Sequence, residues 1–273
     1  MPLIEPRLLA LAVLSLAASI GARAADAPYA DMEPASRQAC AAAPAYPARD
    51  QPPPTQPACD AIAAYYGIGG PVDPAKARAC AYVGKDYDVL AMLYANGLGV
   101  ARDYGVARKA TCDADGAPAE ISGRLAHLAR MERLGPAQAG RFEFCDDITS
   151  GLMMGYCANI AALRADQRRD TRLMAITAHW PDASRRAFGA LVQARDAFVK
   201  AHDDEVDLGG TDRAAAMIAE EQALRQAFLA LIEQAESGTL AAASPARAQA
   251  LDARLNATWR QLKATADPRE ETG

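Results

Sequence analysis

Six cysteines, three histidines and one dense acidic run are the residues of this 273-residue chain whose types and spacing bear most directly on chemistry. The cysteines are Cys40, Cys59, Cys80, Cys112, Cys145 and Cys157. None forms a C-x-x-C redox pair, and their intervals are too wide for a zinc knuckle. No histidine is placed in sequence to activate one of them as a nucleophile, so they read as structural cross-links. Sequence alone leaves their pairing open, and the pair expected first is Cys145 with Cys157. On one straight helix their separation would be roughly 18 Å, whereas a disulfide needs Cα atoms within about 7 Å. The chain between them must turn, and Gly151 and Gly155 are the residues read as permitting it.

The run Asp203-Asp204-Glu205-Val206-Asp207 invites a calcium loop. Such a loop needs Gly at its sixth position and Glu at its twelfth, where this chain has Leu208 and Ala214. The frame fails. The run reads instead as an acidic helix end and turn, with Asp207 or Thr211 capping the next helix and Arg213 pairing locally. His127, His179 and His202 are far apart, and no H-E-x-x-H occurs. A glycosidase needs two carboxylates across a cleft, and only Glu205 and Asp207 stand out for that role. No phosphate loop, dinucleotide fingerprint or G-x-S-x-G is present. No catalytic residue, metal or cofactor is therefore expected.

The elements that must carry these residues are helical. Hydrophobic residues make up 51% of the chain and aromatics only 6%, with Ala abundant, which favours close-packed helices over sheets and excludes a disordered chain. A formal net charge of −5 argues against a sequence-independent grip on nucleic acid. Residues 1–24 read as a cleavable export signal: Arg7, the apolar run from Leu8 to Ile20, then Ala22-Arg23-Ala24. That run is too short to span a bilayer, so no stable membrane anchor is expected after cleavage following Ala24, and the periplasm or the exterior is the expected location. Cleavage there would leave a net charge of −6. Residues 25–57, with Pro52-Pro53-Pro54, read as an extended Pro- and Ala-rich linker, and residues 267–273 as a disordered tail.

Residues 58–142 read as one helical region, and within 59–112 the sequence repeats itself at an interval of thirty. Gly67, Gly69, Asp73, Ala77 and Arg78 fall on Gly97, Gly99, Asp103, Ala107 and Arg108. Each unit reads as a helix, a glycine corner with positive φ, and a second helix capped by the Asp. Leu93-Tyr94-Ala95-Asn96-Gly97-Leu98-Gly99-Val100, followed by Arg102-Asp103-Tyr104, resembles the Sel-one-like repeat, which implies a helix–turn–helix scaffold for protein interactions. A further helix is expected over 118–142, stopped by Gly135-Pro136. Residues 143–266 read as three or four long helices, with Phe188, Leu191, Val192, Phe198 and Val199 on one apolar face. Met217, Ile218, Leu224, Phe228, Leu231 and Ile232 repeat the pattern, as do Leu251, Leu255, Trp259 and Leu262. The expected fold is all-α: a short helical repeat followed by an antiparallel bundle.

Three stretches of the second half resemble the LprI-like family, named after a lysozyme inhibitor. They are Cys145 through Cys157, Glu205-Val206-Asp207-Leu208-Gly209-Gly210-Thr211-Asp212-Arg213, and Asp252-Ala253-Arg254-Leu255-Asn256-Ala257-Thr258-Trp259. Met153 and Trp259 stand where that family often carries Glu and Tyr. The resemblance implies a helical module with Cys145 and Cys157 as its opening cysteine pair. Glu205, Asp207, Thr211, Arg213, Asn256 and Trp259 are its candidate binding residues, and Trp259 is expected to be buried, with Asn256 bonded to a neighbouring turn. The expectation that follows is an exported, non-enzymatic protein-binding module whose periplasmic partner is a protein, with lysozyme as the implied partner. The alternative is an envelope enzyme acting on peptidoglycan or its fragments.

Overall fold

Ten α-helices and two short 3-10 turns are the regular elements of the computed structural model among its described residues, which are 31–53, 57–135, 137–203, 206, 209–240 and 244–265. No strand occurs among them, so the fold is all-α. The expected export signal and the expected tail at 267–273 lie outside the described residues. The described residues form two compact units, one within 1–65 and 73–149 and the other within 66–72 and 150–273. The division falls after Thr149 rather than between 142 and 143, because Phe142 and Phe144 are wholly buried in the first unit.

The repeat folds through its caps. Helices α2 (Ala61–Tyr66), α3 (Pro74–Gly84), α4 (Tyr87–Asn96) and α5 (Tyr104–Asp113) follow one another. The Asp73 carboxylate accepts from the Lys76 amide, and Asp103 from Val106, each satisfying an orphan donor of the first helical turn. The interval of thirty is reproduced in the backbone: the Asp73 amide donates to Ala64 at 2.9 Å and the Asp103 amide to Tyr94 at 3.0 Å. Gly97 and Gly99 have φ of 68° and 66°, as the corner requires. A Cβ on Gly99 would lie 2.9 Å from Pro74 Cβ, so the second corner seats directly on the first turn of α3, where Arg78 also donates to the Gly99 carbonyl at 2.8 Å.

Residues 31–53 depart from the linker expectation. Pro34–Ala41 forms helix α1, and Ala48–Asp50 is a 3-10 turn. Met32 and Cys40 are buried in one cluster with Cys112, Ile121 and Leu125. The cause is covalent and aromatic: Cys40 is bonded to Cys112, and Tyr46 donates to Asp113 at 2.8 Å while its ring meets Tyr82 edge-on. A second disulfide joins Cys59 to Cys80. Cys145 and Cys157 are likewise disulfide-bonded, and no described cysteine is free.

Helix α6 (Pro118–Leu134) ends at Gly135, whose φ is 73°. Leu125, Leu128 and Met131 are buried on its apolar face, while Leu134 is exposed. Its polar stripe has a structural task that periodicity does not signal. Glu120, Arg124 and His127, at helical spacing, bind the returning segment 142–149 through the Thr149 amide, the Phe144 carbonyl and the Asp147 carboxylate.

In the second unit α7 (Gly151–Thr177), α8 (Asp182–His202) and α9 (Arg213–Glu236) run up, down and up. Gly151 and Gly155 do not make a turn: both are inside α7. Their role is close approach, because a Cβ on Gly151 would overlap the Thr211 carbonyl oxygen and one on Gly155 would lie 2.9 Å from Ala214 Cβ. At the far end of the same pair, Leu173 and Ile176 bury against Leu229 and Ile232, and Arg172 pairs with Glu233. Small residues thus bring α7 and α9 together side by side, and α8 is the return helix between them in sequence.

Candidate interaction surface

Helix α8 presents more apolar surface than its single line of packing can bury. Of the five residues expected on its core face, Val199 is buried and Phe188 and Val192 are half-buried, while Leu191 and Phe198 are exposed. Phe188 stands edge-on to Trp180 and reaches Phe228 of α9, and Asp196 pairs with Arg225 at 3.6 Å. These contacts hold α8 along one edge of α9. A groove of about 280 Å³ runs between the two helices, lined by Leu191, Phe198, Leu224, Phe228 and Leu231 among others. The Arg195 guanidinium lies over the Phe228 ring at 5.0 Å and closes one side with a cation–π contact. Leu191, Phe198 and Leu231 are 48%, 60% and 50% exposed, which makes this groove a contiguous apolar face rather than scattered surface residues.

Helix α10 (Pro245–Thr265) begins as expected, with Ser244 Oγ accepting from the Arg247 amide behind Pro245. The described side chains of its apolar face do not enter a core. Leu251, Leu255 and Trp259 are 56%, 68% and 55% exposed, which corrects the expectation of a buried Trp259. The Asn256 amide bonds to the Asp252 carbonyl of its own helix at 3.0 Å and not to a neighbouring turn. Thr211 precedes α9 without capping it, since the N-cap position is Asp212, and Thr211 instead supplies the carbonyl that abuts Gly151. Arg213 is the exposed first residue of α9. Glu205 and Asp207 lie outside the described residues.

The buried and half-buried carboxylates Glu120 and Asp88 of the first unit are committed to protein groups. Arg124, 1% exposed, donates to Asp88 at 3.0 Å and to the Phe144 carbonyl at 3.1 Å. Burial pushes Asp88 up to about 6, against the opposing pull of Arg124, with Asp86 and Glu120 adding repulsion. Glu120 accepts from the Thr149 and Ala117 amides. Tyr46 and Tyr94 are raised by burial and by bonds that keep their hydroxyls as donors, to Asp113 and Asp50 respectively. Each of these groups is held by a partner within the first unit.

No protein-family model, curated protein or solved structure matches the chain.

Proposed function

We propose that this chain is an exported, non-enzymatic helical module that binds another protein, and that a lysozyme is its partner. The observation that carries the binding reading is the exposed apolar groove between α8 and α9, with Leu191, Phe198 and Leu231 along it. Three further facts support it. All six cysteines are disulfide-bonded, which suits an oxidising compartment. No helix among the described residues is long and apolar enough to cross a membrane. The chain is acidic, so a strongly basic partner such as an animal lysozyme is steered toward it. The enzymatic alternative rests on Glu205 and Asp207, which lie outside the described residues; the buried carboxylates Asp88 and Glu120 add nothing to it, being held by Arg124 and by backbone amides.

Calorimetric titration of the full chain with a hen-type lysozyme tests the reading. Binding is expected at micromolar protein in low salt and is expected to weaken at moderate salt, as screening removes the charge contribution. Phe198→Asp is expected to weaken it about tenfold or more by placing a charge in the groove. No heat of binding at either salt concentration overturns lysozyme as the partner.

A further inference from the structure

Two exposed apolar faces of the second unit have matching spacings. The groove presents Leu224, Ala227, Phe228 and Leu231 from α9, beside Leu191 and Phe198 from α8. Helix α10 presents Leu251, Leu255 and Trp259, four residues apart and so on one side. Antiparallel helices joined by a turn pair residues lying at equal distances from its centre. Leu231 and Leu251 lie ten residues either side of position 241, Ala227 and Leu255 fourteen, and Leu224 and Trp259 seventeen and eighteen. Position 241 is within half a residue of the middle of the connection between α9 and α10. The two faces are therefore in register for a hairpin.

The chain leaving α9 is built to reverse. Gly238 takes φ of 70°, and the Thr239 and Leu240 amides both return to the Gln234 carbonyl at 2.9 and 3.0 Å. Ser244 and Pro245 then start a fresh helix. The connection falls within the usual range of about 2–8 residues for neighbouring helices. A helix tethered this closely has a local concentration of millimolar order at its own groove, well above that of any second copy.

We infer that α10 is the fourth helix of this unit, folding back antiparallel to α9 and laying Leu251, Leu255 and Trp259 into the α8–α9 groove of its own chain. Exposure of both faces at once leaves apolar area in water that this closure removes. A protein using the groove then gains it by displacing α10. That gating rests on the binding role proposed above; the folding back does not.

The test is a pair of cysteines introduced into the full chain. Leu231→Cys with Leu251→Cys is expected to form an intramolecular disulfide under mild oxidation, giving a cross-linked monomer on a non-reducing gel. Leu231→Cys with Trp259→Cys, about 12 Å out of register at 1.5 Å per residue, is expected not to. Absence of the first cross-link, equal yield from both pairs, or a cross-linked dimer overturns the inference. Trp259 fluorescence in a Trp180→Phe background gives a second readout without new thiols. Acrylamide quenching several-fold weaker than that of free N-acetyltryptophanamide is expected, and equal quenching overturns closure. Neither measurement contains lysozyme, so failure here leaves the partner assignment standing, and loss of the partner leaves closure standing.

Discussion

Replacing Arg124 by Met is expected to destabilise the protein by about 3–5 kcal/mol at pH 7, the usual cost of removing one partner of a buried ion pair. The guanidinium is 1% exposed, joins Asp88 on α4 to the Phe144 carbonyl, and lies over the Phe144 ring at 5.5 Å. Met fills much of the volume and returns none of the bonds. Asp88 is left with a desolvated charge, and the Phe144 carbonyl loses the Arg124 bond. The loss carries a pH signature. Burial has raised the folded pKa of Asp88 to about 6 from 3.8, so protonation favours the folded state. Its contribution to stability grows as pH falls through 6 and is lost as pH rises through 6. Without Arg124 the charged form is penalised more heavily, so the deficit of the variant is expected to shrink between pH 7 and pH 5. Urea denaturation of both proteins at the two pH values measures it; an equal deficit at both would assign the cost to packing alone.

The second large effect concerns a glycine inside a helix. Ala in place of Gly usually stabilises a helix by about 1 kcal/mol. Gly151→Ala is expected to do the reverse, with a loss of about 2–3 kcal/mol, because the added Cβ would overlap the backbone oxygen of Thr211. Neither the first turn of α7 nor the segment leading into α9 can yield without opening the contact between the two helices. Gly189 in α8 provides the opposite case, since a Cβ added there would meet nothing within 4 Å. Gly189→Ala is expected to raise stability by about 1 kcal/mol. Denaturant midpoints of the two variants decide the matter: opposite signs support the close approach of α7 and α9, and two stabilised variants contradict it.

Local chemistry is legible in the sequence, and long-range chemistry is not. Asp73, Asp103 and Ser244 act as helix caps, and Gly97 and Gly99 take the corner, because capping and positive φ depend on neighbours a few residues away. Residues whose partners are distant in sequence give no such signal. Asn96 pairs with both backbone groups of Phe142 at 2.8 Å, across 46 positions, and looks like any helix-terminal Asn. Met32, Cys40 and Tyr46 sit in a Pro- and Ala-rich stretch whose composition hides its tether to Cys112 and Asp113.

The departures at the candidate surface have one physical origin. Periodicity reports that a helix has an apolar face; it does not report whether a neighbour covers that face. Leu191, Phe198, Leu251, Leu255 and Trp259 have the spacing of core residues and are exposed. Gly151 and Gly155 suggest a turn because glycine permits one, whereas here the missing side chain matters more than the backbone freedom.

The lytic rate of a hen-type lysozyme, titrated with the full chain at low and at moderate salt, tests the central claim most directly. The account predicts a rate lowered about twofold or more at micromolar chain in low salt, with partial recovery at moderate salt. An undiminished rate at micromolar chain in both salts contradicts the proposal that the chain binds lysozyme and thereby slows it.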